Sequence, residues 1–139
     1  MNRKKILVVD DNPVITKTLT MKLESAGYQV LTATDGSEAV TAARKERLDL
    51  ILLDISFPDP GVGGGVQWDG FKIIDWLRRL DEAKDVPVIV ITAGEPAKYK
   101  DQSLSKGAVA FFQKPIDNQV LLEVIAKTLA SGVGKPASV

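Results

Sequence analysis

The sequence predicts one α/β domain with an open sheet of parallel strands. Three observations carry that prediction. The runs at 6–9 (ILVV), 50–53 (LILL) and 88–91 (VIVI) are apolar without interruption and bounded by polar residues, the pattern of strands buried on both faces. Segments with helical spacing and end signals alternate with these runs, which implies right-handed crossovers. The 139 residues fit one core, because single domains typically hold about 100 to 150 residues and a chain of this size buries about 70% of its unfolded surface.

Each element follows in order. After the first strand, Asn12-Pro13 offers a helix cap with proline at the first helical position, Ile15, Leu19 and Leu23 recur every four residues, and Gly27 stops the helix. Tyr28 to Ala33 is a weaker second strand, and a helix is expected from Ser37 to Arg47. The third strand, 50–53, precedes a helix over Asp69 to Leu80. The fourth strand leads to Pro96–Lys106, a poor helix with Ala97 and Leu104 nearly its only aliphatic residues, and marginal on that ground. Val109 to Gln113 is the fifth strand, and Asp117 caps a last helix reaching Ala130. The domain thus spans 1–130. Residues 131–139 (SGVGKPASV) have no apolar period and read as a flexible tail or the start of a linker.

Composition narrows the function. Eighteen basic residues balance eighteen acidic ones, giving no general pull toward nucleic acid or membrane. No cysteine is present, so disulfides and thiolate metal sites are excluded and a cytoplasmic setting fits. No histidine is present either, so any phosphohistidine chemistry needs a partner's imidazole.

In a doubly wound sheet, ligands bind beyond the carboxyl ends of the strands. The strands here end in Asp10-Asp11, Asp54, Thr92 and Lys114-Pro115. Three converging carboxylates raise one another's pKa and call for a counter-charge. All-oxygen ligands without Cys or His suit Mg²⁺ or Mn²⁺. Lys114 and Thr92 supply a charge and a hydroxyl for the remaining oxygens of a phosphoryl group. Asp54, kept ionised, becomes a nucleophile toward phosphorus. Each of these residues alone is an ordinary cap or loop charge; together on one edge they specify a site.

The residues match a family pattern. The chain resembles the receiver domains of two-component response regulators from Lys4 to about Ala130, in "ILVVDDNP", "LILLDISFP", "PVIVITAG" and "GAVAFFQKPI". The resemblance implies strand order 2-1-3-4-5, Asp54 as phosphoacceptor, and a Mg²⁺ (or Mn²⁺) site of Asp10, Asp11, Asp54 and the Ser56 backbone carbonyl. It also implies phosphoryl contacts from Thr92 and Lys114, an aromatic switch at Phe111 and a cis Lys114-Pro115 peptide. The activity implied is self-phosphotransfer and autodephosphorylation, with output by protein contact. The implied donor is a histidine kinase or histidine phosphotransfer protein, meeting the first helix at Asn12, Val14 and Ile15, and a downstream protein target receives the signal. The domain stands alone or is excised from a longer regulator or hybrid kinase, as a monomer or a phosphorylation-linked dimer. The apolar surplus of the last helix is deep packing, or a dimer or partner surface formed with the marginal fourth helix and strand five.

The chain departs from the family at DPGVGGGVQW, 59–68, between Pro58 and Asp69-Gly70. It lacks the last glycine of a dinucleotide fingerprint and the lysine of a P-loop. A surface excursion and a lid anchored by Trp68 are its two readings. Two other functions are weighed. A hydrolase of haloacid-dehalogenase type needs Asp-x-Asp after the first strand, where Asn12 follows Asp10-Asp11. A flavin or nucleotide binder needs a hydroxyl- or glycine-rich loop where Asp11-Asn12-Pro13 stands.

Overall fold

The computed structural model describes residues 4–54, 70–92, 96–114 and 116–131. Five helices alternate with five strands: β1 (Lys5–Val9), α1 (Pro13–Ser25), β2 (Gln29–Ala33), α2 (Gly36–Lys45), β3 (Leu50–Leu53), α3 (Gly70–Arg79), β4 (Val88–Thr92), α4 (Pro96–Ser105), β5 (Ala110–Gln113) and α5 (Asn118–Ser131). All strand pairs are parallel, in the order β2-β1-β3-β4-β5. The expected architecture and strand order are both present, and the boundaries fall within a residue or two of the sequence reading.

Strand alternation divides the core into two layers. Leu7, Val9, Ile51, Leu53, Val88 and Val90 pack against Ala39 and Ala43 of α2 and Ile73, Ile74 and Leu77 of α3. Ile6, Val8, Leu50, Leu52, Ile89 and Ile91 pack against Leu19 and Leu23 of α1 and Leu121 and Ile125 of α5. Successive strand residues point to opposite faces, so the runs 6–9, 50–53 and 88–91 of β1, β3 and β4 are apolar without a break. A slip of one residue would exchange the two layers.

Local chemistry sets the helix ends. The Asn12 side-chain oxygen accepts from the amides of Val14 at 2.9 Å and Ile15 at 3.4 Å, as an N-cap does. The Asp35 carboxylate caps α2 through the Glu38 amide at 2.8 Å. Glu38 reaches back to the Thr34 hydroxyl and amide at 2.6 and 2.7 Å, and those bonds, the hydroxyl first, hold its carboxyl below the usual range. Asp117 accepts from Gln119 at 2.8 Å, the cap expected for α5. Gly27 and Gly107 have φ of 98° and 106°, where a Cβ is disfavoured.

The apolar surplus of α5 divides. Leu122, Val124 and Leu129 pack partly on the core layer, while Val120 stays 43% exposed. Among the described residues no helix is long and apolar enough to cross a membrane. Ser56, Gly94, Pro115, the 59–68 insertion with Trp68, and 132–139 lie outside the described residues.

Candidate functional site

Strand order reverses between β1 and β3, and the acidic residues flank that point. Asp10, Asp54 and Lys114 each sit one rung past their strands. The Asp10 amide donates to Ala33 O at 3.0 Å, the Asp54 amide to Val9 O at 2.9 Å and the Lys114 amide to Thr92 O at 2.8 Å. Ladder geometry, rather than a loop, therefore aims these side chains. The Asn12 amide donates to Asp10 Oδ1 at 2.9 Å, so the turn opening α1 also orients Asp10.

Three carboxylates meet here. Asp10, Asp11 and Asp54 each offer an oxygen within 4.8 Å of the others. Asp10 and Asp54 are buried and Asp11 is exposed, which makes an acidic pocket open on one side. Lys114 Nζ donates to Asp10 Oδ2 at 2.8 Å and Asp54 Oδ2 at 2.9 Å. Burial of Lys114 works to lower its pKa, but hydrogen bonds and charge from both aspartates outweigh that effect and raise it. The ammonium offsets part of the repulsion between two desolvated carboxylates.

Thr92 is fully buried at the end of β4, between β3 and β5. Its carbonyl holds the Lys114 backbone, as described above. Phe111 pairs with Val90 in register and packs half-buried on the α2/α3 layer, whereas Phe112 packs on the opposite layer. Both phenylalanines thus help to fill the core, one on each side of the sheet.

A cavity of about 420 Å³ adjoins the carboxylates, lined by Val14, Ile15, Thr18, Leu19, Ile91, Lys114, Ile116 and Asn118. Val14 and Ile15 were read from the sequence as surface near Asp54. Thr18, Ile116 and Asn118 were not, although Thr18 stands one helical turn past Val14 and Ile116 two residues past Lys114. Asn12 is exposed, and its side-chain oxygen is engaged as the cap of α1.

Three carboxylate oxygens lie close enough to share an ion, in a pocket open on the Asp11 side, in a chain without cysteine or histidine. Such a set fits a hard divalent cation that keeps water ligands.

Comparison with known proteins agrees with this geometry. The response regulator receiver domain family matches residues 6–126. The chain is 35% identical over 126 residues to protein PilH of Pseudomonas aeruginosa, covering 91% of this chain and 98% of PilH. It is similar to a CheY-like response regulator receiver domain protein of Methanospirillum hungatei, with TM-score 0.82, 28% identity and coverage of 94% and 97% of the two chains. It is also similar to the receiver domain of sensor histidine kinase PA1611 of Pseudomonas aeruginosa, a structure with a magnesium ion coordinated in the active site cleft, at TM-score 0.79, 28% identity, and 93% and 99% coverage. With strand-end carboxylates, a lysine bridge and strand order 2-1-3-4-5 on one edge, the chain belongs to the response regulator receiver domain family.

Proposed function

We propose that Asp54 is the phosphoacceptor of this two-component signalling switch, with Asp10 and Asp11 completing the metal site and Lys114 and Thr92 receiving the phosphoryl oxygens. The observation that carries the reading is the Lys114 ammonium bonded at once to Asp54 and Asp10. It puts a cation at the carboxylate that must stay ionised to attack.

The transfer balances simply. An Asp54 carboxylate oxygen forms a bond to phosphorus as the P–N bond of a partner's phosphohistidine breaks. The imidazole leaves with that electron pair and takes a proton. Asp10, Asp11, Asp54 and the Ser56 carbonyl would hold Mg²⁺ (or Mn²⁺), which when bound neutralises charge on the phosphoryl oxygens. Lys114 orients Asp54 beforehand and stays on the phosphoryl group afterwards, so little reorganisation is needed. Thr92 shifting toward the new group would draw Phe111 with it through the β4/β5 pairing. The magnesium in the PA1611 receiver supports the metal assignment by likeness.

Asn12, Val14 and Ile15 form the docking surface for a histidine kinase or phosphotransfer protein: Val14 and Ile15 line the cavity beside Lys114, and the exposed Asn12 caps the same helix. Output passes to a protein target by contact, without nucleic acid or membrane. The protein works in the cytoplasm and carries no catalytic activity beyond its own phosphotransfer and autodephosphorylation.

The test is Mg²⁺-dependent phosphorylation by acetyl phosphate, read as intact mass beside Asp54→Asn. The expected result is one phosphate adduct on the wild type and none on the variant. An equal adduct on both would place the chemistry elsewhere.

A further inference from the structure

The strands that lead to Thr92 and Lys114 are fed by turns whose amides are already spent. The Val109 amide donates to Val88 O at 2.8 Å, joining the starts of β5 and β4. Just before that bond, none of the amides at 86, 87, 107 and 108 crosses between the two turns. Pro87 has no amide hydrogen, and the Val86 amide donates to Ala83 O at 3.1 Å. The Gly107 and Ala108 amides close the turn after α4 on Leu104 O and Ser103 O, each at 3.1 Å.

A side chain crosses there instead. Arg78, in the last turn of α3, donates from Nη1 to Val86 O at 2.8 Å and from Nη2 to Gly107 O at 3.3 Å. Val86 and Gly107 each stand two residues before the bonded pair Val88 and Val109, so the guanidinium lies across the entry of both strands. Nη1 also donates to Ala83 O and Lys84 O at 3.3 and 3.0 Å, which fixes the fork against the turn that feeds β4. Arg78 is half-buried; burial pushes its pKa down, with the Asp85 charge opposing, and a guanidinium stays charged through such a shift. A planar fork can engage two turns at once, which the point charge of a lysine cannot.

β5 depends on such a tie more than the inner strands do. It pairs with β4 alone and has four residues, none of them fully buried, so packing fixes its register less firmly. Its far end delivers the site, because the Lys114 amide bonds to Thr92 O and Lys114 Nζ reaches Asp10 and Asp54. From Gly107 to Lys114 the chain covers about 23 Å at the rise of a strand, and a strand passes slack at its entry on to its end.

We propose that Arg78 is a positioning residue for Lys114: its guanidinium is a rung between the turns that feed β4 and β5, and it sets how far β5 reaches toward the two carboxylates. The rung rests on the bonds above. Its effect on transfer rests on the phosphoacceptor reading of Asp54.

Hydrogen exchange and phosphorylation of the full chain test the two parts, on Arg78→Ala and on Arg78→Lys, which keeps the charge without the fork. Lys5→Met is the control, since it removes another side-chain tie, Lys5 Nζ to Glu46 at 2.9 Å, at the start of a strand packed on both faces. In both Arg78 variants exchange at 109–114 should speed about tenfold relative to α1. Mg²⁺-dependent phosphorylation by acetyl phosphate, counted per folded chain, should slow by about threefold or more. Lys5→Met should keep the wild-type values of both. Unchanged exchange at 109–114 overturns the rung. Faster exchange with phosphorylation at the wild-type rate, or an equal loss of rate in Lys5→Met, overturns the positioning role. Should Arg78→Ala fail to fold, the milder Arg78→Lys decides. A wild-type chain that takes up no phosphate, seen by intact mass, counts against the phosphoacceptor assignment instead.

Discussion

Lys114 stands between two buried carboxylates, and its loss has a calculable sign. Lys114→Met leaves Asp10 and Asp54 facing each other without compensation, and breaking a buried pair costs about 3 to 5 kcal/mol. Urea unfolding without divalent ions should show that loss, and Mg²⁺ should restore stability to the variant more than it adds to the wild type. The pKa of Lys114 is raised in the folded chain. A raised pKa stabilises the fold fully below the unfolded value of about 10.4 and the benefit disappears as pH climbs through the higher folded value. Unfolding curves between neutral pH and strongly alkaline pH should therefore show the gap between wild type and Lys114→Met constant up to about 10.4 and narrowing above it. Thr20 offers the opposite sign. Its hydroxyl is buried and, among the described residues, has no hydrogen-bond partner. Thr20→Val keeps the shape and removes the unmet group, so a gain of about 1 kcal/mol is expected by urea unfolding. Asp10, Asp54 and Thr92 were legible in the sequence because each directly follows an apolar run, and Lys114 because it follows the fifth strand and precedes Pro115. The Thr20 hydroxyl was not, since helical spacing gives a residue's side but not the partners it will find there.

Helix endings separate what pattern shows from what packing adds. Asn12-Pro13, Gly27 and Asp117 were readable because a cap needs only its own neighbours. The poor apolar count of α4 predicted a marginal helix, and α4 nonetheless forms ten residues, Pro96–Ser105. Its closing turn at Gly107 is local, but the bonds from Arg78 and Asp75 of α3 come from 29 and 31 residues away, a distance that no local window covers. The two glycines supply a comparison. Alanine at either would hold a left-handed backbone at about 1 to 2 kcal/mol, and at Gly27 nothing lies within 4 Å of the added carbon. At Gly107 the carbon meets Arg78, so Gly107→Ala should lower the thermal midpoint more than Gly27→Ala. Equal shifts would mean that Arg78 yields without loss. For α1, Val14 is 70% exposed while Ile15 leans on the core layer, so Val14 is the cleaner probe of docking. Val14→Glu should slow transfer from a histidine-bearing partner at least tenfold relative to transfer from acetyl phosphate.

At the scale of the molecule, β1, β3 and β4 were legible because they serve two core layers and so carry unbroken apolar runs at 6–9, 50–53 and 88–91. The edge strands were weaker signals. β2 has two exposed positions and β5 one, with none of β5 fully buried, so their identity as strands rested on alternation with helices. Strand order came from family likeness, because nothing in a strand's own residues names its neighbours. The site inherits its precision from that order: backbone bonds across β1/β2, β1/β3 and β4/β5 set Asp10, Asp54 and Lys114 in place. The apolar remainder of α5, with Val120 outward, suits a surface that meets a second copy or a target. Sedimentation of the free and beryllofluoride-treated chain at several concentrations should show association only in the treated form.

Those three backbone bonds also divide the chain into parts that must keep their length and parts that need not. A residue added inside β1 or β3 would turn a carboxylate to the wrong face, while residues added beyond Asp54 leave its rung untouched. Between Pro58 and Asp69 the chain carries ten residues, 59–68. On the phosphoacceptor assignment proposed for Asp54, a sensor peptide or affinity handle grafted within 59–68 should leave Mg²⁺-dependent phosphorylation of Asp54 at the wild-type rate, read by intact mass.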